Sequence, residues 1–192
     1  MPRLQWPSLG ARSAPLSVVV VALVWLAAAC GGAAGGDSAP TGPLPAATTG
    51  PLEVVEVPSA LHVQGPVAYS RMPPAGGNHA PAWQNCGYYD APIPTEQAVH
   101  SQEHGAVWIT YHPNLPRDQI SALAQMARSQ SFVLVSPFPN QAAPVIASAW
   151  GRQQRFASAR DAALAEFVRM FRNGPQTPEP GAPCAGGTGT PK

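Results

Sequence analysis

AVWITYHPNLPRDQISALAQMARSQSFVLVS, residues 106–136, decides the fold. Residues 106–111 are an apolar run of strand length rich in β-branched and aromatic side chains, and residues 132–136 are a second. Between them Pro116 stands near a first helical position. Ile120, Leu123, Ala124 and Ala127 then recur at i, i+3, i+4 and i+7. Strand, helix and strand in that order predict a right-handed crossover joining two parallel strands of one sheet. PVIASAW, residues 144–150, reads as a further strand, and the seven-residue link before it suits an antiparallel return. Ser158 with Asp161 makes a near capping box for a last helix. Its stripe is Leu164, Phe167, Val168 and Phe171, and Asn173-Gly174 ends it. Met126 and Met170 are expected to fill core gaps within the two helical stripes. The expected class is α+β: a small mixed sheet with a β-α-β-β-α core and two amphipathic helices on one face.

Upstream the signals weaken. LEVVEV, residues 52–57, alternates well enough for an initial strand that Pro58 ends. Residues 65–94 are a long Pro/Gly/Asn-rich loop region, a length that in a compact domain is usually functional or disordered. Its aromatics, Tyr69, Trp83, Tyr88 and Tyr89, argue that it packs. A short helix is then expected, with Thr95 as N-cap, Glu96 in the first turn and Gly105 as the residue that stops it.

The ends of the chain frame this unit. Arg3 and Arg12 precede an uncharged apolar run over residues 18–29, too short for a helix that needs about 20 residues to cross a bilayer. It fits a signal peptide over residues 1–29. LAAAC, residues 26–30, resembles the lipobox of bacterial lipoproteins, with Leu26 one place early. That resemblance implies cleavage before Cys30, a lipid on its sulfur and attachment to the cell membrane. Cleavage by ordinary signal peptidase would instead leave a soluble secreted protein. Residues 30–51 then form the lipidated cysteine and a flexible linker, whose stretch of about 21 residues spans on the order of 25 Å. Residues 52–184 make one globular domain, and residues 185–192 a disordered tail.

Composition excludes several partners. Loss of Arg3 and Arg12 takes the formal charge from +1 to −1, and Lys192 is the only lysine. Nucleic-acid binding needs clustered cations on one face, and none are present. The membrane is therefore a partner only through the lipid on Cys30, and no protein partner is indicated. The three cysteines are odd in number. With Cys30 lipidated, Cys86 and Cys184 remain as a disulfide pair in an oxidising compartment. The other reading makes Cys86 a thiolate ligand and Cys184 free.

VHSQEHG, residues 99–105, carries the chemistry. On a helix His100 and His104 share one face roughly 5–6 Å apart, and Glu103 can join them. Two imidazoles so placed can ligate one ion, with Glu103 as a further ligand, an orienting group or a base. They can equally cap carbonyls in a last turn where the dipole favours positive charge. The spacing His-x-x-Glu-His also matches the inverzincin motif. That motif belongs deep in a long helix, and Glu166, a candidate remote carboxylate, sits beside an apolar stripe. MPPAGGNH, residues 72–79, adds Met72 and His79 on a loop stiffened by Pro73-Pro74 and turned by Gly76-Gly77. His62 and His112 have no partner pattern and read as surface or hydrogen-bonded residues.

Tyr69, Pro73-Pro74, Gly77, His79, Trp83, Gly87-Tyr88, the run 99–111, VSPFP at 135–139 and Ala149-Trp150-Gly151 together resemble the bacterial family called domain of unknown function 3105. The resemblance covers about residues 54–172. It implies a secreted or membrane-anchored protein with the signatures Pro-Pro-x-x-Gly-x-His and His-x-x-Glu-His-Gly, matched here by His79, His100, Glu103, His104 and Gly105. Gln102 stands where an apolar residue is usual, and Ala75-Gly76 where Thr-Ser is usual. The family has no settled activity, so the resemblance implies a folding unit and a motif but no reaction.

Three readings follow. The first is an extracytoplasmic, lipid-anchored metal-binding protein with His79, His100 and His104 as ligands and Glu103 or Met72 completing the set. Thioether with imidazole favours copper, and carboxylate with imidazole favours zinc; copper is placed slightly ahead. The second is a zinc-dependent hydrolase with Glu103 as general base, which requires a concave pocket around Gly76-Gly77 and Trp83. The third is a non-catalytic cell-surface module whose histidines are structural, so that an enzyme is the less favoured class.

Overall fold

The computed structural model describes residues 42–46 and 48–192. The expected signal peptide and Cys30 lie outside them. The first run of the deciding stretch forms strand β3 (Val107–Tyr111), every residue of which is buried. It lies parallel to β4 (Val133–Pro137), with Val107 opposite Val133 and Ile109 opposite Val135. Helix α2 (Arg117–Ser129) connects them, with Leu123, Ala124 and Ala127 buried as the periodicity predicts. On its other side β3 pairs antiparallel with β5 (Val145–Ala149), the expected return.

Three further strands complete the sheet. β6 (Arg152–Phe156) pairs antiparallel with β5 through a tight turn at Gly151, whose φ is +68°. β1 (Glu53–Val54), shorter than the six residues expected, pairs antiparallel with β6, and β2 (Gly87–Tyr88) pairs parallel with β4. The order is β1-β6-β5-β3-β4-β2, one mixed sheet of six strands, so the α+β class holds.

Why these strands carry unbroken apolar runs follows from their two covered faces. Val107, Ile109, Val133, Val135, Val145 and Ala147 face α2 and α3 (Ala162–Phe171), packing with Leu123, Leu164, Phe167 and Val168. Trp108 and Leu134 point the other way, against Ala98 of α1 (Thr95–Glu103) and Tyr89 of the Pro/Gly-rich segment. The long loop is therefore the third layer of the domain. Trp108 is fully buried and its indole N–H donates to Ser136 Oγ at 3.0 Å, which removes the polar penalty of burying it.

Two helix details differ from expectation. Asp161, not Ser158, caps α3, its carboxylate accepting from the Ala163 N–H. Ser158 is instead drawn to Gln119 Oε1 on α2, 3.0 Å away. Met126 packs against the core as expected, but Met170 is 45% exposed. At 100° per residue it stands roughly a third of a turn round from the stripe of Leu164, Phe167, Val168 and Phe171. Among the described residues no helix is long and apolar enough to cross a membrane.

Candidate metal centre

Helix α1 buries polar residues. His100, Ser101, Gln102 and Glu103 are all buried, and such groups need partners. Ser101 Oγ donates to the Gln84 carbonyl at 2.7 Å and accepts from the Gln84 N–H. Gln102 Nε2 donates to the Pro74 carbonyl at 3.1 Å. These bonds tie the helix to both ends of the loop that carries His79. The helix stops where the sequence says it should: His104 is the C-cap and Gly105 follows with φ +104°. A Cβ on Gly105 would also stand 2.9 Å from Asn173 Cα, so the position needs glycine twice over. Thr95 is the first helical residue, and Pro94 occupies the cap without a side-chain bond.

The loop brings in a residue that local spacing could not reveal. His79 is fully buried, and its backbone pairs with the segment around His62 as an isolated parallel bridge. The Val63 N–H donates to the His79 carbonyl at 2.8 Å, and the His79 N–H to the Leu61 carbonyl at 3.1 Å. His62 thereby joins the cluster, with its ring centroid 4.8 Å from those of both His79 and His100.

Among the described residues, His62, His79, His100 and Glu103 each offer a ligand atom, all within 4.8 Å of one another. His79 Nε2 is 2.9 Å from Glu103 Oε2, and His62 Nε2 is 3.5 Å from the same oxygen. His104 adjoins this set through His100, the two Nε2 atoms lying 2.9 Å apart. Glu179 Oε2, from the C-terminal segment, is 3.6 Å from His104 Nε2.

The tautomers decide what this arrangement can do. His79 Nδ1 lies 2.8 Å from the Gly77 carbonyl, His100 Nδ1 2.6 Å from that of Ala80, and His104 Nδ1 2.7 Å from that of Pro183. A carbonyl oxygen only accepts, so each Nδ1 carries the proton and donates it. In the neutral ring each Nε2 is then a bare lone pair: those of His79 and His100 are aimed into the cluster, and that of His104 meets His100 Nε2 from beside it. Lone pairs facing one another and a carboxylate across 2.9 Å repel unless a cation, proton or metal, lies between them. Imidazoles locked this way by backbone carbonyls are what metal coordination requires. Burial pushes the His100 pKa below the ordinary histidine range, and the neighbouring His104, His79 and His62 lower it further; only the bond to Ala80 opposes. A neutral ring keeps its lone pair for an ion.

Of the residues singled out from sequence, His79, His100 and Glu103 converge and His104 lies beside them. Met72 is 52% exposed, while Pro73, Pro74 and Ala75 after it turn inward. Glu166 is exposed and paired with Arg169, which holds its carboxyl below the usual range. Cys86 and Cys184 form the expected disulfide. A cleft of about 230 Å³ does adjoin Gly76-Gly77, lined also by Val57, Tyr69 and Arg71, but none of the five histidines and neither Trp83 nor Glu103 lines it.

The fold and this site define a class: a small α+β domain with a histidine–carboxylate cluster, buried but for His62, that could hold a metal ion. The chain belongs to the family described as protein of unknown function (DUF3105), whose model matches residues 62–186 and so takes in the whole cluster from His62 to Glu179. No curated protein and no solved structure matches the chain.

Proposed function

We propose that this is an extracytoplasmic metal-binding protein, anchored by a lipid on Cys30, in which His62, His79, His100 and Glu103 hold one divalent transition-metal ion. The observation that carries the reading is the inward aim of the Nε2 lone pairs of His79 and His100, each fixed by a backbone carbonyl behind it. Three nitrogens and one carboxylate oxygen are a sulfur-free set suited to zinc(II) or copper(II). The case for a thioether-bound, softer copper rested on Met72, whose exposure moves the preference to the divalent ions. The anchoring rests on the signal-like run and Cys30, and its test is incorporation of labelled lipid that a Cys30→Ala change abolishes.

Four protein donors leave little room for substrate at the ion, and the nearest cleft is lined by no member of the cluster, so binding is favoured over hydrolysis. Purified protein stripped of metal, with its disulfide intact, should take up zinc tightly. The double change His79→Gln with His100→Gln should abolish that uptake while the circular dichroism spectrum stays native. Unaltered uptake by a folded double variant would refute the assignment.

A further inference from the structure

The four donors of the inner set leave His104 and Glu179 unused. His104 is held as firmly as a ligand: its Nδ1–H donates to the Pro183 carbonyl, and the Trp83 ring packs over it at a centroid distance of 4.9 Å. Its Nε2 lone pair faces His100 Nε2 on one side and Glu179 Oε2 on the other. Glu179 is itself placed by the backbone, since its N–H donates at 3.1 Å to the Glu103 carbonyl at the end of α1. The disulfide at Cys184, next to Pro183, fastens the same segment to the loop.

We propose that His104 and Glu179, with His100 as the shared neighbour, form a second and outer cation position for a zinc-class divalent ion, beside the inner set at the C-terminal end of α1. The proposal rests on the inner assignment and adds a second site to it. Two ligands on one tetrahedral zinc, each at 2.0–2.2 Å, stand roughly 3.3–3.6 Å apart. The 3.6 Å between His104 Nε2 and Glu179 Oε2 fits that bite. A carboxylate is the appropriate partner here, because a second dication beside the first is repelled unless a negative charge offsets it. Glu179 is 54% exposed, so water completes the outer sphere, and the outer ion binds more weakly than the inner one.

The test is zinc stoichiometry by equilibrium dialysis of the metal-stripped, disulfide-intact protein. The wild type should take two ions per chain, the second at least about ten-fold more weakly. Glu179→Gln, at an exposed position where folding is not at stake, should take one ion with the first affinity unchanged, and His104→Gln should lose the second ion as well. Saturation of the wild type at one ion, or two ions retained by Glu179→Gln, would overturn the outer position. Loss of the tight ion in Glu179→Gln overturns it as well, since the pair would then belong to the inner sphere. A wild type that takes no ion fails the inner assignment itself, a distinct outcome.

Discussion

Single side chains at the cluster act through charge and tautomer. Glu103 Oε2 lies close to both His79 and His62, so it is the one anionic donor of the proposed inner set. Glu103→Gln keeps the shape and removes the charge. Zinc affinity should fall by more than the roughly 10–100-fold that loss of a mere orienting partner costs, in a chelator competition, with the thermal midpoint little altered; an unchanged affinity would demote Glu103 to a structural role. His112 supplies an independent pH signature. It is buried, its Nδ1 accepts from the Asn114 N–H at 3.2 Å, and burial pushes its pKa below the ordinary value. The unfolded chain therefore binds a proton below about pH 6.5 that the native state refuses, and stability is full above that pH and declines as pH falls. His100 shifts the same way from the same cause. Urea midpoints of metal-free protein should drop between pH 7.5 and 5.5, and His112→Gln should lessen the drop. His79, His100 and Glu103 were legible because helical spacing and a rigid loop are local properties. His62 was not: a backbone bridge to His79 places it, and a bridge leaves no mark in the spacing of either segment.

At the scale of elements, the strands and helices with strong periodicity were readable and the induced ones were not. β3, β4, β5 and α2 follow from apolar runs and an i, i+3, i+4 stripe. β6 is RQQRF, which no strand propensity favours; the Gly151 turn lays it against β5, and buried Gln153 is compensated by bonds to the Pro73 carbonyl and Ser148 Oγ, both at 2.8 Å. β2 is two residues inside the loop, borrowing its register from β4. The end of α1 was legible from Gly105, and its energetics can be measured. Gly105→Ala forces a left-handed backbone on a residue with a Cβ and drives that atom to 2.9 Å from Asn173 Cα. Together these should cost at least about 1–3 kcal/mol in urea unfolding, well beyond a loss of helix propensity alone. Because α1 ends on His104, the same variant should also weaken the outer zinc step more than the inner one. Stability equal to wild type would mean the helix end yields without strain.

Across the whole molecule the C-terminal segment is what composition conceals most. Residues 185–192 have few core-forming side chains, which is why a disordered tail was expected of them. Many of their partners are backbone groups: the Asn85 N–H donates to the Thr188 carbonyl, the Thr188 N–H to that of Trp83, and the Lys192 N–H to that of Tyr88, at 2.8–2.9 Å. Thr188 Oγ1 adds a bond to Gln97 Oε1 on α1 at 2.7 Å. Any sequence carries backbone donors, so hydropathy cannot forecast this docking; the cysteine count could, by fixing Cys184 to Cys86 across 98 residues. The chain-entropy model gives about 4–5 kcal/mol for such a closure as an upper figure. The disulfide and the tail bonds should therefore be separable. Replacing both cysteines by serine should lower stability by no more than that amount and speed hydrogen exchange at Thr188 and Lys192, while Ile109 and Val135 in the sheet keep globally limited protection. Pro183 would lose its fixed place behind His104, so the outer zinc step should weaken and the inner one persist. If the tail amides stay as protected as before, the backbone bonds alone hold the segment, and the crosslink contributes only through the unfolded chain.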